Sequence, residues 1–213
     1  MEKNNDIRIK QPTTYDEQIE IFKSRGLIID DEAFAKTVLS QINYYRLSAY
    51  TLSLKKDNQF FKDVSFYQIY QLYEFDRKLR LLLLSQLEMI EVDARAKISH
   101  HLAHKYGALS HLDEENFDNP VYFKDMNRQI DSEIQRSKEV FVSHHKSKYD
   151  GVFPIWVAIE VTSFSLLSKI YSNLKAEDQE EIADLYSSNR FYLKNWFYSL
   201  STIRNICAHF GRL

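Results

Sequence analysis

Two side chains near the end of the sequence have the chemistry to act on a phosphodiester: Arg204 and His209, in the stretch TIRNICAHFGRL from Thr202 to Leu213. Histidine donates and accepts protons near neutral pH. Arginine stays charged and matches phosphate oxygens with paired N–H groups, so it stabilises charge that builds in a transition state. Together they suit metal-free cleavage of RNA, in which the 2′-hydroxyl attacks the adjacent phosphorus and the leaving 5′-oxygen takes a proton. Five residues on an α-helix turn about 500°, so the two side chains point about 140° apart and do not share a face. Asn205 and His209 stand at i and i+4 and do stack, which lets Asn205 orient the imidazole while Arg204 reaches round from the adjacent face. One helix end is then an incomplete site; two such helices facing each other supply two arginines and two histidines to one cleft. The helix dipole favours a cation at this end, which leans His209 toward the general acid, with base and phosphate ligand as alternatives. The pattern alone is not specific: an Arg–Asn–His network that ties a core helix to its bundle reads the same way.

Other chemistries find less support. His100 and His104 share a helix face at metal-ligand spacing, but with His101 they offer no third and fourth ligand from a cysteine or a second-helix histidine. They read as solvated histidines near a helix C-terminus, as do His144 and His145. The glycines at 26, 107, 151 and 211 are too scattered for a phosphate loop. Glu88 and Glu91 read as a solvated or dimer-facing edge. No metal and no cofactor is expected.

The elements that must carry the motif follow from composition. The chain has 213 residues, 44% hydrophobic and 27% charged, with Gly 4 and Pro 3. So few helix breakers beside a core-sized apolar fraction predict an all-α protein, a helical bundle. A net charge of −2 gives no global basic field for nucleic acid, which leaves a local strip of Arg190, Lys194, Arg204 and Arg212 as the candidate RNA track. A single cysteine, Cys207, excludes an internal disulfide and fits a reducing compartment. The N-terminal stretch lacks the apolar run of a secretory signal, and the longest apolar run, Leu81 to Leu84, is too short for a membrane span. The expected location is cytoplasmic, with no membrane partner.

Along the chain, residues 1–12 read as a polar arm, 13–60 as a small N-terminal helical subdomain and 61–213 as the bundle, the whole forming one compact unit. Thr14 and Glu17 make a capping box for a short helix stopping near Gly26. Asp30 and Asp31 cap EAFAKTVLSQI, which runs into the helix-compatible NYYRLSAYTLSL. KKDNQFFKDVS reads as a loop or small hairpin. Ser65 caps the longest periodic segment, which reaches about Tyr106 with Gly107 as terminator. A polar helix is expected from about Lys124 to Ser147. A further helix is expected from Pro154 through PIWVAIEVTSFSLLSKIYSNL. A short acidic helix, AEDQEEIADLY, precedes the last one, which runs from Arg190 to about His209 with Ser188 as its cap.

RNICAHFGRL resembles the R-x4-H signature of HEPN ribonucleases, with the polar Asn205 directly after the arginine. INYYRLSAY (Ile42–Tyr50), FDRKLRLLLLSQLEMIEVDARAKISHHLAHKYG (Phe75–Gly107) and FPIWVAIEVTSFSLLSKIYSNL (Phe153–Leu174) resemble the Abi family within that superfamily, the abortive infection proteins of AbiD/AbiF type. Their order and spacing match as well, from about residue 15 onward. The resemblance implies a HEPN-like helical bundle, a homodimer that pairs two motifs, and RNA cleavage without metal in bacterial phage defence or a toxin–antitoxin system. It assigns Arg204 and His209 as catalytic and Asn205 as supporting, and it admits an antitoxin or a guide or regulatory RNA as partner. Asn43, Tyr44, Arg46, Arg77 and Glu160 fall in the family-like segments without an assigned role. The alternative is a non-catalytic RNA- or protein-binding module of the same fold. Many relatives continue past the motif, so a truncated form is also open.

Overall fold

The computed structural model describes residues 11–213; the polar arm expected over 1–12 lies almost wholly outside the described residues. Ten α-helices, several short 3-10 turns and one two-stranded hairpin make up the described chain, so the all-α expectation holds. The chain forms two compact units, one reaching Leu79 and including Arg212, the other spanning Arg80 to Gly211 with Leu213.

In the first unit, α1 (Tyr15–Ser24) opens on the expected capping box, Thr14 and Glu17 each satisfying the other's backbone N–H. The Asp31 carboxylate caps α2 (Glu32–Gln41) by accepting from Phe34 N–H at 2.8 Å. Asn43 caps the short α3 (Tyr44–Ser48), which tightens into a 3-10 turn over Ala49–Leu54. The hairpin β1 (Lys55–Lys56) and β2 (Gln59–Phe60) closes through Asp57 and Asn58, both in left-handed backbone with φ of 49° and 68°. That conformation matches the twist of a two-residue hairpin loop, and Asp and Asn tolerate it better than most side chains. Phe22 lies at the centre of this unit's core, its ring centroid 4.9 Å from Tyr44, 6.2 Å from Phe60 and 6.1 Å from Phe66.

Helix α4 (Phe66–Tyr106) is unbroken over 41 residues, about 60 Å at 1.5 Å per residue. Ser65 and Gln68 cap it reciprocally, at 3.3 Å and 2.9 Å, and Gly107 ends it in left-handed backbone with φ of 90°. The division between the units falls inside this helix rather than in a loop, because its two ends feed different cores. Phe66 and Ile69 are buried with the first cluster, whereas Ala94, Ile98 and Leu102 are buried with the second.

The second unit departs from the sequence reading at three places. The polar stretch is two helices, α5 (Pro120–Arg136) and α6 (Val140–Lys148), not one. Asn119 starts α5 early by capping Val121 and Tyr122, with Pro120 at the first turn; Ser137 then turns extended and ends it. The helix expected from Pro154 is likewise split, into α7 (Ile155–Ala158) with a 3-10 turn to Val161 and α8 (Phe164–Asn173). Thr162 breaks it: its hydroxyl donates to Ile159 O at 2.7 Å, and Ser163 restarts the helix by accepting from Leu166 N–H. Helices α9 (Ala176–Asp184) and α10 (Arg190–Ala208) follow as expected, except that Asn189 rather than Ser188 caps α10. Phe197 of α10 anchors the core, its ring 5.2 Å from Tyr171 and 6.0 Å from Tyr186. Helix α8 packs against both α5 and α10. No helix among the described residues is long and apolar enough to cross a membrane.

Candidate active site

The last turn of α10 holds His209 by a specific device. His209 is the C-cap, its N–H bonded to Asn205 O, and Phe210 follows in left-handed backbone with φ of 58°. Phe210 N–H reaches Cys207 O at 3.3 Å, and Gly211 N–H reaches Ile206 O at 2.7 Å. This pair of bonds is the Schellman closure, with phenylalanine where glycine is usual. The left-handed position falls on Phe210, and Gly211 serves close approach: a Cβ there would lie 3.0 Å from Ile206 Cγ2 and 3.2 Å from Ile206 O. Arg80 Nη1 then donates to Gly211 O at 3.2 Å, tying the turn back to α4. His209 is exposed.

Arg204 is held from α4. Its Nε donates to Glu91 Oε2 at 3.2 Å, and its side chain is 34% exposed. Glu91 is only 5% exposed, so its reading as a solvated or dimer-facing edge is overturned; Glu88 is exposed as expected. The other Glu91 oxygen accepts from Arg95 Nη2, which also donates to Thr162 O at 2.6 Å. A buried carboxylate thus sits between two guanidiniums, and one of them also binds the carbonyl exposed by the break between α7 and α8. Charge pairing explains why Glu91 tolerates burial. The i, i+4 spacing of Glu91 and Arg95 was readable as a helix-surface pair; the third partner, 113 residues away, was not.

Asn205 turns to another helix. Its Nδ2 donates to Ser165 Oγ of α8 at 2.9 Å. Arg204, Asn205 and His209 are thus fixed by three different anchors, Glu91, Ser165 and the Schellman turn.

The expected basic strip is distributed. Arg190 lies 3.7 Å from Glu180 and over the ring of Phe191. Lys194 is exposed at a cavity among α5, α8 and α10. Arg212, grouped with the first unit, donates to Ala49 O and lies over the Tyr50 ring. Within the family-like segments, Asn43 caps α3, Tyr44 accepts from Arg25 at 3.1 Å and Arg77 pairs with Glu74; Glu160 is exposed.

The histidines divide. His100 and His104 are exposed, with ring centroids 4.1 Å apart. His101 is not a solvated residue: its Nε2 meets the fully buried Asp178 at 2.8 Å. His145 also departs from that reading, bonding Phe141 O through Nδ1 and stacking on Phe153. Donor atoms of His101, Asp178 and Glu181 lie within 4.8 Å of one another. The Lys105 ammonium already stands 2.9 Å from Asp178 and 2.8 Å from Glu181, however, and supplies the positive charge a metal would bring. Burial pushes the Asp178 carboxyl up, but hydrogen bonds from His101, Lys105 and Tyr106 outweigh it and hold the group below its usual range.

The model of one protein family, described as Abi-like protein, matches residues 37–213. All three upstream stretches and the Arg204–His209 segment fall inside that match. No curated protein and no solved structure matches the chain.

Proposed function

The chain belongs to the Abi-like protein family, and on that premise we propose that it is a metal-independent endoribonuclease of abortive infection, acting as a homodimer. The observation that carries this reading is the accessibility of the motif. His209 is exposed on a backbone-locked turn, and Arg204 keeps a third of its side chain in solvent while Glu91 fixes its Nε. Two copies facing each other at this end of α10 would bring a guanidinium preoriented by Glu91 and an accessible imidazole to one phosphate.

In the reaction, the 2′-oxygen forms a bond to phosphorus as its proton passes to a base. The bond from phosphorus to the 5′-oxygen breaks, and His209 in its protonated form gives that oxygen a proton. The products are a 2′,3′-cyclic phosphate and a free 5′-hydroxyl. Arg204 balances the extra charge on the phosphoryl oxygens, and the second copy's motif supplies the base. Exposed Leu81, Leu82, Met89 and Val92 on α4 offer apolar surface for that pairing.

A second reading has its own observation. Arg204–Glu91 and Asn205–Ser165 tie α10 to α4 and α8, as a purely structural motif in a non-catalytic binding module would. Incubating RNA with the wild type and with His209→Ala in EDTA separates the two. Cleavage by the wild type only, leaving cyclic phosphate ends, supports the nuclease. Equal cleavage by both, or none by either, overturns it.

A further inference from the structure

Helices α5, α8 and α10 line an open cavity of about 590 Å³ that the motif chemistry does not use. Its size is that of a small-ligand site, typically about 300–1,000 Å³. Each helix contributes one stripe at helical spacing: Tyr122 and Asp125 from α5, Ser165, Ser168 and Lys169 from α8, and Lys194, Tyr198 and Ser201 from α10. Three kinds of group therefore face one space.

We propose that this cavity binds a nucleoside phosphate, its base against the tyrosines and its phosphate between Lys169 and Lys194; the proposal rests on the ribonuclease reading for its place in function. Tyr122 and Tyr198 are both well exposed, and a phenol ring stacks on any base with little sequence preference. Lys169 of α8 and Lys194 of α10 both line the cavity, and lysine is a common phosphate ligand. Lys169 is lightly tethered by Gln129 at 3.4 Å. Ser168 and Ser201, both buried at the cavity floor, bring hydroxyls to the edge of a base. The Asp125 carboxylate on the α5 side suits an exocyclic amine and disfavours a second phosphate.

The cavity is also next to the motif. Ser165 lines it and accepts the hydrogen bond from Asn205, the residue after Arg204. A nucleotide seated there would place the neighbouring phosphodiester toward the end of α10, and the cavity would select which base precedes or follows the cut.

Calorimetric titration of the full chain with AMP, adenosine, inorganic phosphate and a non-cleavable 2′-deoxy hexanucleotide tests the site. Saturable AMP binding is expected, tighter than that of adenosine or phosphate. Lys169→Ala with Lys194→Ala should weaken it at least about tenfold, and Tyr198→Ala should weaken it in the same direction. Glu88→Ala, exposed and outside the cavity, should leave it unchanged. All these positions are exposed, and circular dichroism confirms folding. A hexanucleotide that binds more than about tenfold tighter than AMP identifies a strand as the occupant, and the reverse order identifies a free nucleotide. No saturable binding of either, or binding indifferent to the lysine and tyrosine changes, overturns the proposal. A wild type that binds AMP as described but cleaves no RNA removes the nuclease reading and leaves the site standing.

Discussion

Glu91 Oε2 lies 3.2 Å from Arg204 Nε, joining the middle of α4 to the last helix across 113 residues of sequence. The same carboxylate takes Arg95 on its other oxygen. One buried acid therefore decides where the motif arginine points and keeps two guanidiniums at close quarters.

Replacing that acid should be costly. Glu91→Gln keeps the shape but removes the charge, leaving Arg95 and Arg204 to repel across a buried site. Loss of a buried partner of this kind costs about 3–5 kcal/mol; because Arg204 is 34% exposed, the lower part of that range is expected. Urea denaturation measures it, and a change within about 0.5 kcal/mol would show that Glu91 does not hold the two helices.

His209 should behave in the opposite way. It is exposed and caps the helix through its backbone, so His209→Ala should shift stability by less than about 0.5 kcal/mol. RNA cleavage should fall by about 100-fold or more, the usual contribution of a general acid. Arg204→Ala should lower both stability and cleavage. Paired denaturation and cleavage assays on the two variants read this contrast.

The hydrogen bond from Asn205 to Ser165 should be measurable as a coupling. Asn205→Ala and Ser165→Ala should each destabilise the fold by about 1 kcal/mol. The double variant should lose less than the sum, because the second change removes a bond already broken. Strict additivity in the double-mutant cycle would show the bond to be absent.

Gly211→Ala should loosen the turn that carries His209. The added methyl meets Ile206 Cγ2 at 3.0 Å and Ile206 O at 3.2 Å, against the 2.7 Å hydrogen bond that closes the Schellman motif. A loss of about 1 kcal/mol is expected, with reduced cleavage, while Gly151→Ala at an open turn should spare cleavage.

Acid should destabilise the fold in two separate windows. His111 is buried, its Nδ1 has no hydrogen-bond partner, and burial lowers its pKa from 6.5 to about 4. The unfolded chain therefore binds the extra proton first. The His111 contribution is complete above its unfolded value of 6.5 and is lost as pH falls from there toward about 4. Between roughly pH 7 and pH 5 the loss should be about 2 kcal/mol, and His111→Phe should flatten that slope in urea titrations. Asp178 is held below its usual carboxylate range, so its contribution persists through that window and fails only in stronger acid.

The sequence by itself determined the helical class, the caps at Thr14 and Ser65, and the long α4, because each rests on local backbone chemistry or on helical periodicity; it left Asp30 and Asp31 as joint candidates for the α2 cap and a loop or a hairpin after α3. The family was also legible, in three segments and a terminal motif that all fall within residues 37–213. Local signals misled where two helices competed for one stretch. Thr162 splits the helix expected from Pro154 by turning its hydroxyl back to Ile159 O, and the carbonyl that the break exposes is taken by Arg95 of α4, a partner 67 residues away that no local pattern reveals. The candidate site divides along the same line. Spacing showed that Arg204 and His209 point apart on one helix, and that much is geometry of the α-helix. Only the tertiary structure decided that Glu91 is buried, that Asn205 faces Ser165, and that Arg80 holds the turn bearing His209. Each of those is a long-range pairing of polar groups, fixed by which helix faces pack together rather than by the residues' neighbours in the chain.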